Sequence, residues 1–216
     1  MFHRLIKSAI VAAALLPSVA HAQLYNNGAP NNSSGNEMTQ WIQAEDFTLG
    51  AASTVTGIRF WGFSNGAPGY FGSITWRIYS NAGNNPAAIL FSGTAAVAGI
   101  NEGPVAPTGL TQFRYDIATN FGLGAGTYWL GLHNGPLTRT SRDEFYWQTT
   151  ASNATNLGRE DETPFDDANP WVSSGQEHAF QILGQVGTNV VPEPGTYALM
   201  AAGLLAVGFV RRRRLA

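Results

Sequence analysis

Strict alternation of apolar and polar side chains over short segments is the feature that most constrains the fold of this chain. In residues 72–80 every second side chain is apolar, which places Trp76 on the apolar face of an extended segment. The same period of two recurs in residues 111–117 and 127–133. This spacing predicts half-buried β-strands rather than helices, with Trp76 in the core.

Five further segments have the composition of strands, with Gly, Asn and Pro between them, and no long segment has a helical period. Alternating strands hide one face each, so two stacked sheets bury both apolar faces without helices. We therefore predict an all-β domain over residues 39–190, a two-sheet antiparallel sandwich with a jelly-roll-like topology. The five segments are residues 39–47, 54–63, 89–97, 144–149 and 178–186.

The first 22 residues have the pattern of a secretory signal peptide. Two basic residues precede an unbroken apolar run over residues 9–16, and Ala20 and Ala22 give the small-x-small form of a cleavage site. We expect cleavage before Gln23 and export by the Sec machinery. Residues 23–38 are rich in Asn, Gly and Ser, which predicts a flexible leader before the domain.

The charge of the segment between the two ends excludes one class of partner. Residues 23–190 contain six arginines, no lysine and thirteen acidic residues, a formal net charge of −7. Such a surface has no basic stripe to neutralise phosphates, so we expect no nucleic-acid binding. The chain has no cysteine, so the fold depends on packing and not on disulfides.

The most specific motif occupies the last 26 residues. Val191, Pro192, Glu193 and Pro194 come first, and their prolines disfavour helix and leave the segment open to an enzyme. The uncharged run over residues 197–210 would be a helix of roughly 21 Å, short for a hydrocarbon core of about 30 Å. Four arginines then favour a cytoplasmic C-terminus. They are Arg211, Arg212, Arg213 and Arg214.

This order of parts resembles the PEP-CTERM sorting signal of Gram-negative bacteria, here over residues 191–216. The resemblance implies recognition by exosortase, a membrane cysteine transpeptidase-like enzyme that removes the tail, and export linked to exopolysaccharide and biofilm production. It implies a precursor anchored in the inner membrane with a periplasmic ectodomain, which then moves to the cell surface or the extracellular space. A plain tail-anchored membrane protein is the alternative. β-Sandwich ectodomains are common upstream of such tails.

Catalytic motifs are scarce, and we expect no enzymatic activity. His133 and His178 are the only histidines after the signal peptide, and we expect both at the surface or rim of the sheets. Without cysteine, a nucleophilic triad would need a serine together with one of these two histidines, and the chain has no His-Glu-x-x-His motif, which argues against a zinc site.

Five carboxylates occur within eight residues, next to Pro164 and Pro170. Oxygen clusters of this kind bind calcium, although the spacing matches no EF-hand and a solvated acidic loop is the alternative. Calcium is the one cofactor that we consider. Two of these carboxylates could also act as acid and base of a glycoside hydrolase. The five residues are Glu160, Asp161, Glu162, Asp166 and Asp167.

Six tryptophans are many for a domain of this size, and two of them have ambiguous positions. Trp129 lies on the face opposite Leu130, so it either packs under a loop or is presented outward, where it could stack on a sugar ring. Trp171 is similarly ambiguous. We therefore expect a structural or adhesive surface or matrix protein. The alternatives are a carbohydrate-binding module for the co-exported exopolysaccharide and, third, a weak glycoside hydrolase.

Overall fold

The computed structural model describes residues 22–64, 69–106, 108–139, 141–151, 156–163 and 171–187. These residues form thirteen strands and no helix. The described part of the chain therefore contains no helix that could cross a membrane. The strands are β1 (Ala22–Asn26), β2 (Pro30–Glu37), β3 (Ile42–Leu49), β4 (Ser53–Ser64), β5 (Ile74–Ala82), β6 (Asn85–Ala95), β7 (Ile100–Val105), β8 (Leu110–Leu123), β9 (Gly126–Asn134), β10 (Phe145–Thr150), β11 (Arg159–Asp161), β12 (Val172–Ser173) and β13 (Phe180–Val186).

Each of the eight strands predicted from the sequence corresponds to a strand of the structure. They are β3, β4, β5, β6, β8, β9, β10 and β13. The prediction of an all-β fold with two antiparallel sheets is confirmed. The largest difference in length is in β8, which continues to Leu123 instead of ending at residue 117, because its second half pairs with the start of β4.

Sheet 1 is organised around β4, which pairs along both of its edges. On one edge β8 follows β4 from Ser53 to Ser64, and β7 pairs with β8. On the other edge β13 pairs with β4 as far as Phe60, and β10 pairs with the end of β4. Strand β1 then joins β13, and β2 joins β10.

Sheet 2 has the order β12-β11-β3-β9-β5-β6, with every neighbouring pair antiparallel. The main core lies between the two sheets. Phe47 of sheet 2 meets Phe180 of sheet 1 edge to face, with ring centroids 6.3 Å apart. Trp76 packs against this core as predicted, and its ring stacks on Phe121 at 5.6 Å. Each buried side chain of this size contributes about 1.5–3 kcal/mol.

The structure corrects the prediction that residues 23–38 are a flexible leader. These residues form most of β1 and all of β2, which pair with β13 and β10. Met38, directly after β2, is completely buried, and its N–H donates to the carbonyl of Phe145 at 3.0 Å. Main-chain pairing of this kind does not depend on apolar side chains, so the polar composition of the segment did not indicate it.

Three other strands have no counterpart in the sequence prediction. β7 contains Gly103, whose φ is +106°, and Pro104, so its sequence reads as a turn. β11 and β12 have three and two residues, too few to show alternation. The proposed signal peptide, except Ala22, and the whole sorting signal lie outside the described residues.

Candidate functional site

The outer face of sheet 2, which is turned away from the main core, carries a second apolar cluster. It consists of Ala44, Tyr79 and Trp129, with Trp171 packed against them, and we call these four residues the outer cluster. Trp129 is completely buried, and its indole N–H donates to Asn81 Oδ1 at 2.9 Å. Outward presentation of Trp129 is therefore wrong, because the ring has no surface left for a sugar.

Trp171 keeps part of its surface accessible. Its ring meets Tyr79 edge to face, with centroids 5.3 Å apart. Trp171 also forms one wall of a cavity of about 360 Å³ that opens to solvent, which we call the outer cleft. The lining residues are Arg77, Tyr79, Ala87, Ala88, Ile89, Asp161 and Trp171.

Polar groups enter the outer cleft from two separate strands. Arg77 and Tyr79 lie two residues apart on β5 and therefore project from the same face. Nη1 of Arg77 donates to the hydroxyl of Tyr79 at 3.4 Å. Asp161 enters from β11, and its Oδ1 accepts the main-chain N–H of Thr163 at 2.9 Å, which holds the carboxylate in place.

Arg159 connects β11 with the hairpin between β5 and β6, although three strands lie between β11 and β6. Its Nε donates to Asn85 Oδ1 at 2.8 Å and its Nη2 to the carbonyl of Asn84 at 3.0 Å. The guanidinium also lies 5.5 Å from the centre of the Trp129 ring. These contacts hold the hairpin between β5 and β6 against the outer face of sheet 2.

The structure does not gather the acidic run into a metal site. Successive side chains of a strand alternate in direction, so Glu160 and Asp161 point to opposite faces of β11. Glu160 accepts a hydrogen bond from Gln43 Nε2 at 3.3 Å, while Asp161 lines the outer cleft. Asp166 and Asp167 lie outside the described residues, and within the described part no group of three or more His, Cys, Asp or Glu is arranged to hold a metal ion. Calcium binding therefore stays a prediction.

Both histidines are completely buried, so the expectation of surface or rim positions is wrong. Nδ1 of His133 lies 3.2 Å from the carbonyl of Gly135, and burial lowers the pKa of His133. Ring Nδ1 of His178 lies 2.8 Å from Glu45 Oε2, and its Nε2 lies 3.2 Å from Asn36 Oδ1. His178 also stacks on the ring of Trp147, with centroids 4.7 Å apart.

Glu45 and His178 form a buried pair in which burial disfavours the charged form of each side chain. Burial raises the pKa of Glu45 well above its ordinary value and lowers the pKa of His178 to about 4. Both shifts favour the uncharged form of the side chain concerned. Both side chains are fully enclosed, so neither is accessible to solvent.

Glu177 lies beside this pair and is 2 % exposed. Burial, and after it the nearby Glu45, raises the pKa of Glu177 to about 7. Nδ2 of Asn27 donates to Glu177 Oε2 at 3.1 Å. Since Asn27 follows β1, this contact connects the N-terminal strand to the polar part of the interior.

One position could have been identified from the sequence. Glu45 has the same parity as Phe47 and Leu49 in β3, both of which are buried, so alternation places a carboxylate on the apolar face. A carboxylate there needs a partner, which the structure identifies as His178. No local pattern indicates the outer cleft, since its walls come from β5, β6, β11 and Trp171.

Comparison with known proteins identifies the C-terminal tail. Residues 190–214 match the model of the PEP-CTERM protein-sorting motif. A comparison with curated proteins finds no matching relative. A two-sheet β domain followed by this motif defines the class: a secreted protein whose membrane-anchored precursor is sorted to the surface. More particularly, the motif indicates an exosortase-targeted protein, with exosortase as its processing partner.

Proposed function

We propose that this protein is an exported structural or adhesive component of the cell surface or extracellular matrix, in the setting of exopolysaccharide and biofilm production. The observation that carries the proposal is the sorting motif at residues 190–214 behind a two-sheet β domain. A sandwich with a filled core suits such a role, because it is a rigid module that can be displayed in bulk.

The proposed route begins with the signal peptide over residues 1–22 and delivery by the Sec machinery. Cleavage leaves Gln23 as the first residue. The segment over residues 197–210 then holds the precursor in the inner membrane, with the ectodomain in the periplasm, until exosortase acts near Pro194. This order follows from the sequence patterns at the two ends of the chain.

Replacement of Pro192, Glu193 and Pro194 by alanine tests this route. We expect an unprocessed form that stays in the membrane fraction. Val186→Ala is the matched control, because Val186 is half exposed and precedes the motif. Normal maturation and release of the triple variant would contradict the proposal.

We propose that the domain has no catalytic activity. The weak hydrolase remains the third candidate, but Glu160 and Asp161 lie on opposite faces of β11 and cannot flank one glycosidic bond. The buried pair of Glu45 and His178 has no access to a substrate. Release of reducing ends from a polysaccharide by the purified protein would overturn the proposal.

A carbohydrate-binding module is the second candidate function. The outer cleft favours it, because an aromatic wall at Trp171 lies beside the polar groups of Arg77 and Asp161. Retention of the protein by a polysaccharide matrix, compared with an empty matrix, tests this function. Absence of retention by every polysaccharide tried would exclude it.

Two finer features belong to the same proposal. We propose a jelly-roll-like connectivity, supported by the repeated crossing of the chain between the sheets at β3, β4 and β5 and again at β8, β9 and β10. We also propose a structural calcium ion at the acidic run, which contains Glu160 and Asp161. A melting temperature that does not change between added calcium and a chelator would exclude the ion.

A further inference from the structure

The outer cleft has the size of a small-molecule site. Its volume of about 360 Å³ lies within the range of roughly 300–1,000 Å³ that is usual for ligand pockets. Ala87 and Ala88 of β6 are both exposed and have the smallest side chains of the lining. The space above them is therefore open, while Trp171 and Ile89 form taller apolar walls.

The aromatic wall of the cleft is held in a defined orientation. Trp171 packs on the outer cluster, and its edge-to-face contact with Tyr79 sets the angle between the two ring planes at 79°. Beneath it, Trp129 is locked by its hydrogen bond to Asn81. A flat ring that is held in this way offers an apolar surface at little further cost in side-chain entropy.

The charges of the cleft are balanced. Arg77 supplies guanidinium donors, and Asp161 supplies carboxylate acceptors. An anionic ligand would be repelled by Asp161, and a cationic ligand by Arg77. A group whose hydroxyls both donate and accept can hydrogen-bond to both side chains, without bringing a charge into the cleft.

We propose that the outer cleft binds a neutral pyranose unit of a polysaccharide. The apolar face of the sugar ring packs on Trp171, while its hydroxyls donate to Asp161 and accept from Arg77. This inference rests on the second candidate function and specifies its site and its class of sugar.

Filling the cleft tests the site without disturbing the core. Ala87→Trp places a large side chain in the cleft from an exposed position, so the fold is retained. Thr94→Trp is the matched control, because Thr94 is exposed on the same strand but does not line the cleft. The full-length chains in detergent are passed over beads that carry a neutral glucan, galactan or mannan, or the acidic polysaccharide alginate.

We expect at least one neutral polysaccharide to retain the unaltered protein and the Thr94→Trp variant equally. Ala87→Trp should weaken that retention about tenfold or more, which corresponds to 1.4 kcal/mol. Equal retention of all three proteins would place the sugar elsewhere and overturn the site while leaving the second candidate function intact. Retention by alginate alone would overturn the neutral class of sugar. Absence of retention by all four matrices would overturn the candidate function as well.

Discussion

Glu45 and His178 are joined by two hydrogen bonds at one oxygen atom. Oε2 of Glu45 accepts the main-chain N–H of His178 at 2.8 Å and lies 2.8 Å from Nδ1 of the same residue. The pair thus connects β3 to the residue two positions before β13, across 133 positions of sequence.

Substitutions of Glu45 test this arrangement. Glu45→Gln keeps the volume and one of the two bonds, so it should reduce the free energy of unfolding by only about 1 kcal/mol. Glu45→Ala leaves both groups of His178 unpaired beside a cavity and should cost about 3–4 kcal/mol. Urea denaturation at pH 7 measures both values. Equal losses in the two variants would contradict the expectation that glutamine keeps one of the two bonds.

Gly158 is expected to tolerate no side chain. A Cβ at this position would lie 2.8 Å from Glu45 Oε2 and 2.8 Å from His178 Nδ1, and neither atom can move within the packed interior. Gly158→Ala should therefore lower the free energy of unfolding by about 1–3 kcal/mol. Gly122→Ala is the control, because a Cβ at Gly122 has no atom within 4 Å. Thermal unfolding compares the two, and equal melting temperatures would contradict the expectation.

Glu177 should make stability depend on pH. The pKa of Glu177 is about 7 in the folded state against an ordinary value of 4.5. The contribution of Glu177 to the free energy of unfolding is complete below pH 4.5 and is lost as the pH rises through 7. The reason is that between these two pH values only the unfolded chain releases the proton. At 1.36 kcal/mol per unit, the loss approaches about 3 kcal/mol.

The Glu177→Gln variant should remove this dependence. Between pH 4.5 and pH 8 the free energy of unfolding of the variant should rise relative to that of the unaltered protein. Other titrating groups cancel in this difference. Glu162→Gln, at an exposed position, serves as the control for the substitution itself. A difference that stays constant with pH would contradict the prediction.

The N-terminal strands should be needed for the fold. A chain that begins at Thr39 lacks β1, β2 and the buried Met38, and it exposes one edge each of β13 and β10. We expect this variant to be insoluble or to unfold at a clearly lower urea concentration than a chain beginning at Gln23. Equal urea midpoints for the two chains would contradict this expectation and would support the prediction that residues 23–38 are a leader.

Local patterns were enough to predict much of the architecture. Alternation identified the eight strands and placed Trp76 against the core, because a strand that buries one face must repeat every two residues. The same rule failed on the outer face of sheet 2. Tyr79 has the parity of a solvent-facing residue, yet it is 3 % exposed, because Trp129 and Trp171 pack with it on that face.

The sequence by itself determined the class of fold and the sorting tail, since a period of two and a short ordered motif are both complete within a few consecutive residues. Only the tertiary structure decided that residues 23–38 extend the first sheet, that Trp129 is enclosed and that Asp161 faces Trp171 in the outer cleft. The physical reason is the same in each case. Main-chain pairing of β1 with β13, the packing of Trp171 on Tyr79 and the contact of Glu45 with His178 join distant positions. No local repeat encodes which distant residues will touch.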